Sequence, residues 1–205
     1  MLHKVRILVV EISFIFLTIW LWTSPPDRVE FWWAFPVLVY FAIVIVMDIE
    51  YRVVLHPISI AGVVIGSIVG MYHNQFSETI LGGLVGFLVM FVLFKFGEYF
   101  MRWVNRRRGD PIDEVALGFG DVNMAAVVGL FLGWPTIVGG LLFAIFAGGI
   151  FSILFIIISL FLRKFRAFAA LPYAPFLSLS ALLMLLFPGD IAIWFKSLGS
   201  LLSGA

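Results

Sequence analysis

Cysteine is absent from this chain of 205 residues, which excludes disulfides, thiol catalysis and cysteine-ligated metal. Charge is scarce as well. Lys, Arg, Asp and Glu make up 12% of the residues and the net charge is +1, so the overall balance implies neither a nucleic-acid partner nor an acidic substrate. The three histidines, His3, His56 and His73, stand far apart, with no carboxylate nearby at metal-ligand spacing. No metal site and no cofactor are expected. Polar stretches of useful length are missing too: the longest, about Tyr99 to Leu117, is expected to be a loop, which leaves no room for a soluble domain.

What fills the chain is hydrocarbon. Hydrophobic residues make up 63% of it and the mean hydropathy is +1.14, the profile of an all-α, multi-pass membrane protein. Seven membrane segments can be drawn: Val5–Trp22, Phe31–Met47, Pro57–Tyr72, Thr79–Phe96, Asp121–Gly133, Pro135–Leu162 and Pro172–Phe187. The breaks fall at punctuating residues, namely Ser24-Pro25-Pro26, His56-Pro57, Trp134-Pro135, Leu171-Pro172 and Pro188-Gly189. The first segment is too long and too rich in Trp for a cleaved signal peptide, and it is expected to be a retained helix. The tail from Ile191 to Leu202, with Trp194 and Lys196, is either an interfacial helix or an eighth short span.

Lys and Arg set the orientation. Lys4 and Arg6 precede the first span, and Arg52 follows the second. Lys95, Arg102 and Arg106-Arg107-Arg108 follow the fourth, and Arg163, Lys164 and Arg166 follow the sixth. The alternate connections hold only Arg28. A cytoplasmic N-terminus puts every basic cluster on one side, as the positive-inside rule requires.

That topology brings two acids to the same side, Asp48 at the end of the second span and Asp121 at the start of the fifth. The fifth is short. Its thirteen residues, Asp121 to Gly133, rise roughly 20 Å against a hydrocarbon core of about 30 Å. Asp121 is therefore expected inside the cytoplasmic boundary, in a dip reached from the cytosol. Irregular backbone at such depth needs protein or a water-filled cavity around it. Gly118 and Gly120 suit that approach, because glycine accepts positive φ and close helix contact. Taken alone, Asp121 reads equally as a helix N-cap, and an ionisable group at the edge of hydrocarbon is a candidate functional site.

Two carboxylates, without Cys or a metal cluster, point to aspartyl proteolysis. Carboxyl groups that share a proton titrate apart. The ionised one can then take a proton from water while the protonated one polarises the scissile carbonyl.

Three motifs, in order, resemble those of the type IV prepilin peptidases, which are GxGD-type membrane aspartyl proteases. Gly118-Phe119-Gly120-Asp121 matches G-x-G-D, and Ala125 to Trp134 looks like the helix that follows it. Met47-Asp48-Ile49-Glu50-Tyr51-Arg52 is similar to the segment carrying the first aspartate. Pro172-Tyr173-Ala174-Pro175-Phe176 resembles the P-x-x-P-F opening of the last helix. The resemblance spans roughly Val46 to Phe187. It implies Asp48 and Asp121 as catalytic residues, with Gly118, Gly120, Pro172 and Pro175 shaping the site.

It further implies a six-helix peptidase core over 31–189, an extra N-terminal helix and loop over 1–30, and a tail over 190–205. By the same resemblance, the expected location is the inner (plasma) membrane and the expected partners are prepilin-like membrane substrates and the lipid bilayer, with the oligomeric state not indicated. Three departures stand out. Leu55 occupies a position where the family often has Pro, with Pro57 two residues later, and Asn123 stands where Lys is common. The cytoplasmic domain with paired C-x-x-C motifs, associated with N-methylation, has no counterpart, so a peptidase-only member is expected.

Other polar residues have plainer readings. Glu50 and Arg52 read as a surface ion pair or headgroup contacts, Arg106-Arg107-Arg108 as a topogenic cluster, and Asp110, Asp113 and Glu114 as a solvated loop. Those three acids could also attract the basic leader of the family's substrates. Glu11, early in the first span, is placed to snorkel. Gly62/Gly66/Gly70, Gly82/Gly86 and Gly129/Gly133 form small-residue ridges that serve helix packing first. Three other functions compete with prepilin cleavage: a GxGD protease acting on other signal peptides, a proton-coupled transporter that uses the acids as a relay, and a non-catalytic scaffold. Transporters often carry internal repeats, and the two halves of this chain show no convincing self-similarity.

Overall fold

A computed structural model describes residues 2–24, 30–51, 55–106, 117–161 and 172–187, with side chains from residue 11 onward. Every regular element among them is helical: α1 Leu2–Thr23, α2 Phe31–Tyr51, α3 His56–His73, α4 Phe76–Asn105, α5 Phe119–Leu132, α6 Thr136–Phe161 and α7 Ala174–Leu186. The seven helices fall where the apolar segments do. Four of them, α2, α3, α4 and α6, are long and apolar enough to cross a membrane. Side chains such as Phe146, Ile150, Ile158 and Phe161 on α6, each more than half exposed, give the bundle an apolar outer surface. That is the arrangement of a protein whose solvent is lipid.

At the centre lies α5. Nine of its 14 residues are buried, and it packs on α3, α4, α6 and α7. Its bed is the groove between α3 and α4, and the sequence explains why the bed is so deep. Both walls present glycine where α5 comes nearest. A Cβ on Gly66 would stand 3.3 Å from the Leu130 Cβ, and one on Gly83 would stand 2.8 Å from the Leu130 Cδ2. Cβ atoms on Gly70, Gly82 and Gly86 would run into the carbonyl oxygens of Leu130, Gly129 and Ala125. Backbones this close gain dispersion and weak C–H···O contacts, which replace the hydrophobic drive that lipid removes.

The C-terminal end of α5 is pinned. Gly133, at φ +68°, turns the chain out of the helix in a conformation that suits glycine. Its N–H donates to the Gly129 carbonyl at 2.9 Å, and the Trp134 N–H donates to the Glu78 carbonyl at 2.8 Å. The Asn74 Nδ2, on the α3–α4 turn, donates to the Leu132 carbonyl at 3.4 Å. The last carbonyls of a helix have no partner within it, and this side chain supplies one.

Three expectations are corrected. First, the stretch from Tyr99 is not all loop, because α4 continues as helix to Asn105. Glu98 accepts from Lys95 at 3.0 Å and from Arg102 at 2.6 Å. Pairs three and four apart lie on one helix face, and they carry the helix beyond its apolar part. Second, α5 begins at Phe119 with Gly118 as its N-cap, so Asp121 is the third helical residue and not the cap. Third, neither Gly118 nor Gly120 uses positive φ. Gly118 sits at φ −76° and Gly120 is helical. Among the described residues the positive-φ glycine is Gly133.

Arg52, Arg107, Arg108, Asp110, Asp113, Glu114, Arg163, Lys164, Arg166 and the tail from 190 onward lie outside the described residues. The side chains of His3, Lys4 and Arg6 do too.

Candidate active site

Asp48 lies in the last turn of α2, which runs on to Tyr51, and is buried at 6% exposure. An anion near the C-terminus of its own helix is opposed by that helix's dipole, at a cost of about 0.3–1 kcal/mol. The neighbouring helix offsets this. The Asp48 Oδ2 accepts a hydrogen bond from the Ala174 N–H at 3.1 Å, at the positive end of α7. A hydrogen bond to a charged group contributes about 1.5–3 kcal/mol, so the contact across helices outweighs the unfavourable one within α2.

The local sequence of α7 leaves that donor available. Pro175 has no N–H, a loss that costs nothing in the first turn. The N–H groups of Phe176 and Leu177 already donate to the Tyr173 carbonyl, at 3.0 and 3.3 Å. Ala174 alone in that turn has its amide to spare. The part played by the Pro172-Tyr173-Ala174-Pro175 stretch is thus to present one N–H to a carboxylate on another helix. Sequence reasoning singled out its prolines and missed the amide between them. The missing donor at Pro175 was the signal that could have found it.

Asp121 stands in the first turn of α5. Its Oδ2 accepts from the Gly118 N–H at 3.2 Å, while its own N–H donates to the Gly118 carbonyl at 3.1 Å. Phe119 packs edge-on against Phe94 of α4, with centroids 5.8 Å apart, and this fixes the level of the site along α4. Asp121 is part-buried, whereas the next residue, Val122, is fully buried. The carboxylates of Asp48 and Asp121 lie within electrostatic reach of one another, and the phenol of Tyr173 lies within reach of Asp121.

Each acid thus meets the positive end of a short helix, α5 with 14 residues and α7 with 13. Helices of that length rise roughly 20 Å, short of the roughly 30 Å of hydrocarbon. Both start at the same end of the bundle, since α6 returns the chain between them. Glu50 is part-buried and interacts with other groups, and its expected partner Arg52 lies outside the described residues. Among the described residues, no group of three or more His, Asp or Glu could hold a metal ion.

Long apolar helices and an apolar outer face define an all-helical membrane protein, in which Asp48 and Asp121 lie at the starts of two short helices and interact electrostatically. Residues 35–153, more than half of the chain, match the type IV leader peptidase family, and the protein belongs to that family. Two curated relatives are similar to the chain: prepilin leader peptidase/N-methyltransferases of Aeromonas salmonicida, one of them from strain A449. Each is 26% identical over 120 residues, which is 58% of this chain and 36% of the relative. The chain thus matches little more than a third of the length of these relatives. No solved structure matches it.

Proposed function

We propose that this protein is an aspartyl endopeptidase that removes the leader peptide of type IV prepilin-like precursors, with Asp48 and Asp121 as the catalytic pair. Of the two activities in the relatives' name, this chain carries the peptidase. The observation that carries it is the meeting of the two carboxylates at the N-termini of α7 and α5. Two like charges so placed favour a state with one proton between them. The ionised carboxylate removes a proton from water as its oxygen adds to the scissile carbonyl carbon. The protonated one gives a hydrogen bond to the carbonyl oxygen, and its proton neutralises the developing charge. On collapse of the tetrahedral intermediate the first carboxyl gives the proton taken from water to the departing amine nitrogen, the second takes its proton back from a gem-diol hydroxyl as C=O re-forms, and the pair is regenerated. Gly118 supports Asp121 through its amide. Pro172 and Pro175 frame the amide that holds Asp48, and Gly120 lies within the first turn of α5.

The proposed frame is a six-helix core over 31–189, with α1 as an addition that packs along α2 and a tail over 190–205. It sits in the inner membrane with the N-terminus and the site on the cytoplasmic side. A native sequence without cysteine makes the orientation easy to test. Arg106→Cys, at the exposed end of α4, should react with a membrane-impermeant maleimide only after the membrane is opened. Gln75→Cys, on the α3–α4 turn, should react in intact cells. Labelling of both from the same side contradicts the orientation.

The activity test is incubation of the detergent-solubilised protein with a prepilin, read as a mobility shift. A transporter or a scaffold leaves the prepilin intact.

A further inference from the structure

Tyr173 holds a position that the two-carboxylate account does not use. It is the N-cap of α7, so the amide of the next residue is the one that binds Asp48. Its phenol lies within electrostatic reach of Asp121. Tyr173 is thus next in the chain to the amide that binds Asp48 and interacts electrostatically with Asp121, from the helix that contributes neither acid.

The ring is held in place. Gly148 of α6 lies flat against it, and a Cβ there would stand 3.1 Å from the Tyr173 Cε2. Phe176, one turn on, packs at a centroid distance of 6.2 Å. A clamped aromatic ring offers its hydroxyl at low entropic cost. When water adds to a peptide carbonyl, the C=O π pair moves onto oxygen, and a fixed donor at that oxygen stabilises the charge where it develops.

We propose that Tyr173 is a third catalytic residue, whose phenol donates a hydrogen bond to the scissile carbonyl oxygen of the bound leader peptide. The O–H bond stays intact throughout. The water proton goes to the ionised aspartate, as in the two-carboxylate mechanism, on which this inference rests. The phenol contributes only in proportion to the charge on the oxygen, so its effect falls on the chemical step and not on substrate binding.

The test is steady-state cleavage of a prepilin by the solubilised full-length protein, with the thermal unfolding midpoint measured on the same preparations. Tyr173→Phe should lower kcat by about 10²-fold, the loss typical of removing one such donor, with KM and the unfolding midpoint near their wild-type values. A variant that retains wild-type kcat overturns the inference, and so does a loss that appears in KM or in the midpoint instead. Should Tyr173→Phe not fold, Gly148→Ala decides, because it keeps the hydroxyl and crowds the ring. A lower kcat at an unchanged midpoint supports the role, and wild-type kcat rejects it. Absence of cleavage by the wild type removes the peptidase reading and this inference together, whereas cleavage by the wild type with an unaffected Tyr173→Phe removes this inference alone.

Discussion

Asp48→Asn and Asp121→Asn should each lower cleavage by about 10³-fold or more, the scale of a lost general acid–base group, while folded protein is recovered in normal amount. The reason lies in what the amide keeps. Asn at position 48 still offers a carbonyl oxygen to the Ala174 N–H, which Asp48 holds at 3.1 Å. At position 121 it still offers one to the Gly118 N–H, held at 3.2 Å. Helix positions are preserved and the titrating group is lost. Asp48→Ala should behave differently, because it strands the Ala174 amide in a buried setting, at a cost of about 1–3 kcal/mol. It should lose stability as well as activity. Residues that act as one unit are grossly non-additive, so the residual rate of the double Asn protein should match that of the slower single variant. Size-exclusion profiles and residual cleavage rates of the four proteins check all of this, and a double-variant loss equal to the product of the single losses contradicts a shared proton.

Gly129→Ala should be strongly damaging for the addition of a single methyl. A Cβ on Gly129 would overlap the Gly82 carbonyl oxygen and come within 2.9 Å of the Gly83 Cα. Both obstacles are backbone, and neither can rotate away. The helices must part, which costs about 1–3 kcal/mol as overpacking. Asp121 lies two turns upstream on the same helix, and a displacement of about 1 Å at a reacting group can cost about 10²-fold in rate. Stability and activity should fall together. Gly149→Ala is the matched control, because nothing lies within 4 Å of a Cβ there, and it should fall within about 0.5 kcal/mol of wild type. The readout is the unfolding midpoint in detergent alongside the cleavage rate. Equal behaviour of the two alanine variants rejects the close α4–α5 packing.

Much of the fold is legible in the sequence because hydrocarbon imposes a simple rule. A long apolar segment can satisfy its backbone in hydrocarbon only as a helix or within a closed barrel, and the seven helices among the described residues lie where those segments fall. The small-residue ridges are legible for the same reason: spaced glycines on an apolar helix mark a close approach, and α5 lies against both. Past the membrane boundary the rule lapses. Tyr99 to Asn105 reads as loop by polarity, yet it is helical, with the Lys95–Glu98–Arg102 pairs at its base. At the site, the two acids and the prolines are visible as residue types, whereas the donor to Asp48 is a backbone N–H that carries no side-chain signature. Positive φ was expected at Gly118 and belongs to Gly133, because Gly118 serves through its amide in an ordinary extended conformation.

The most direct test of the central claim is mass spectrometry of a prepilin incubated with the purified protein alone, run beside Asp48→Asn and Asp121→Asn. The wild type should cut one bond, between leader and mature segment, leaving a free carboxylate and a free amine. Both variants should leave the precursor whole over the same time. An intact precursor with the wild type, or cleavage at the wild-type rate by either variant, contradicts the claim that Asp48 and Asp121 together activate the attacking water.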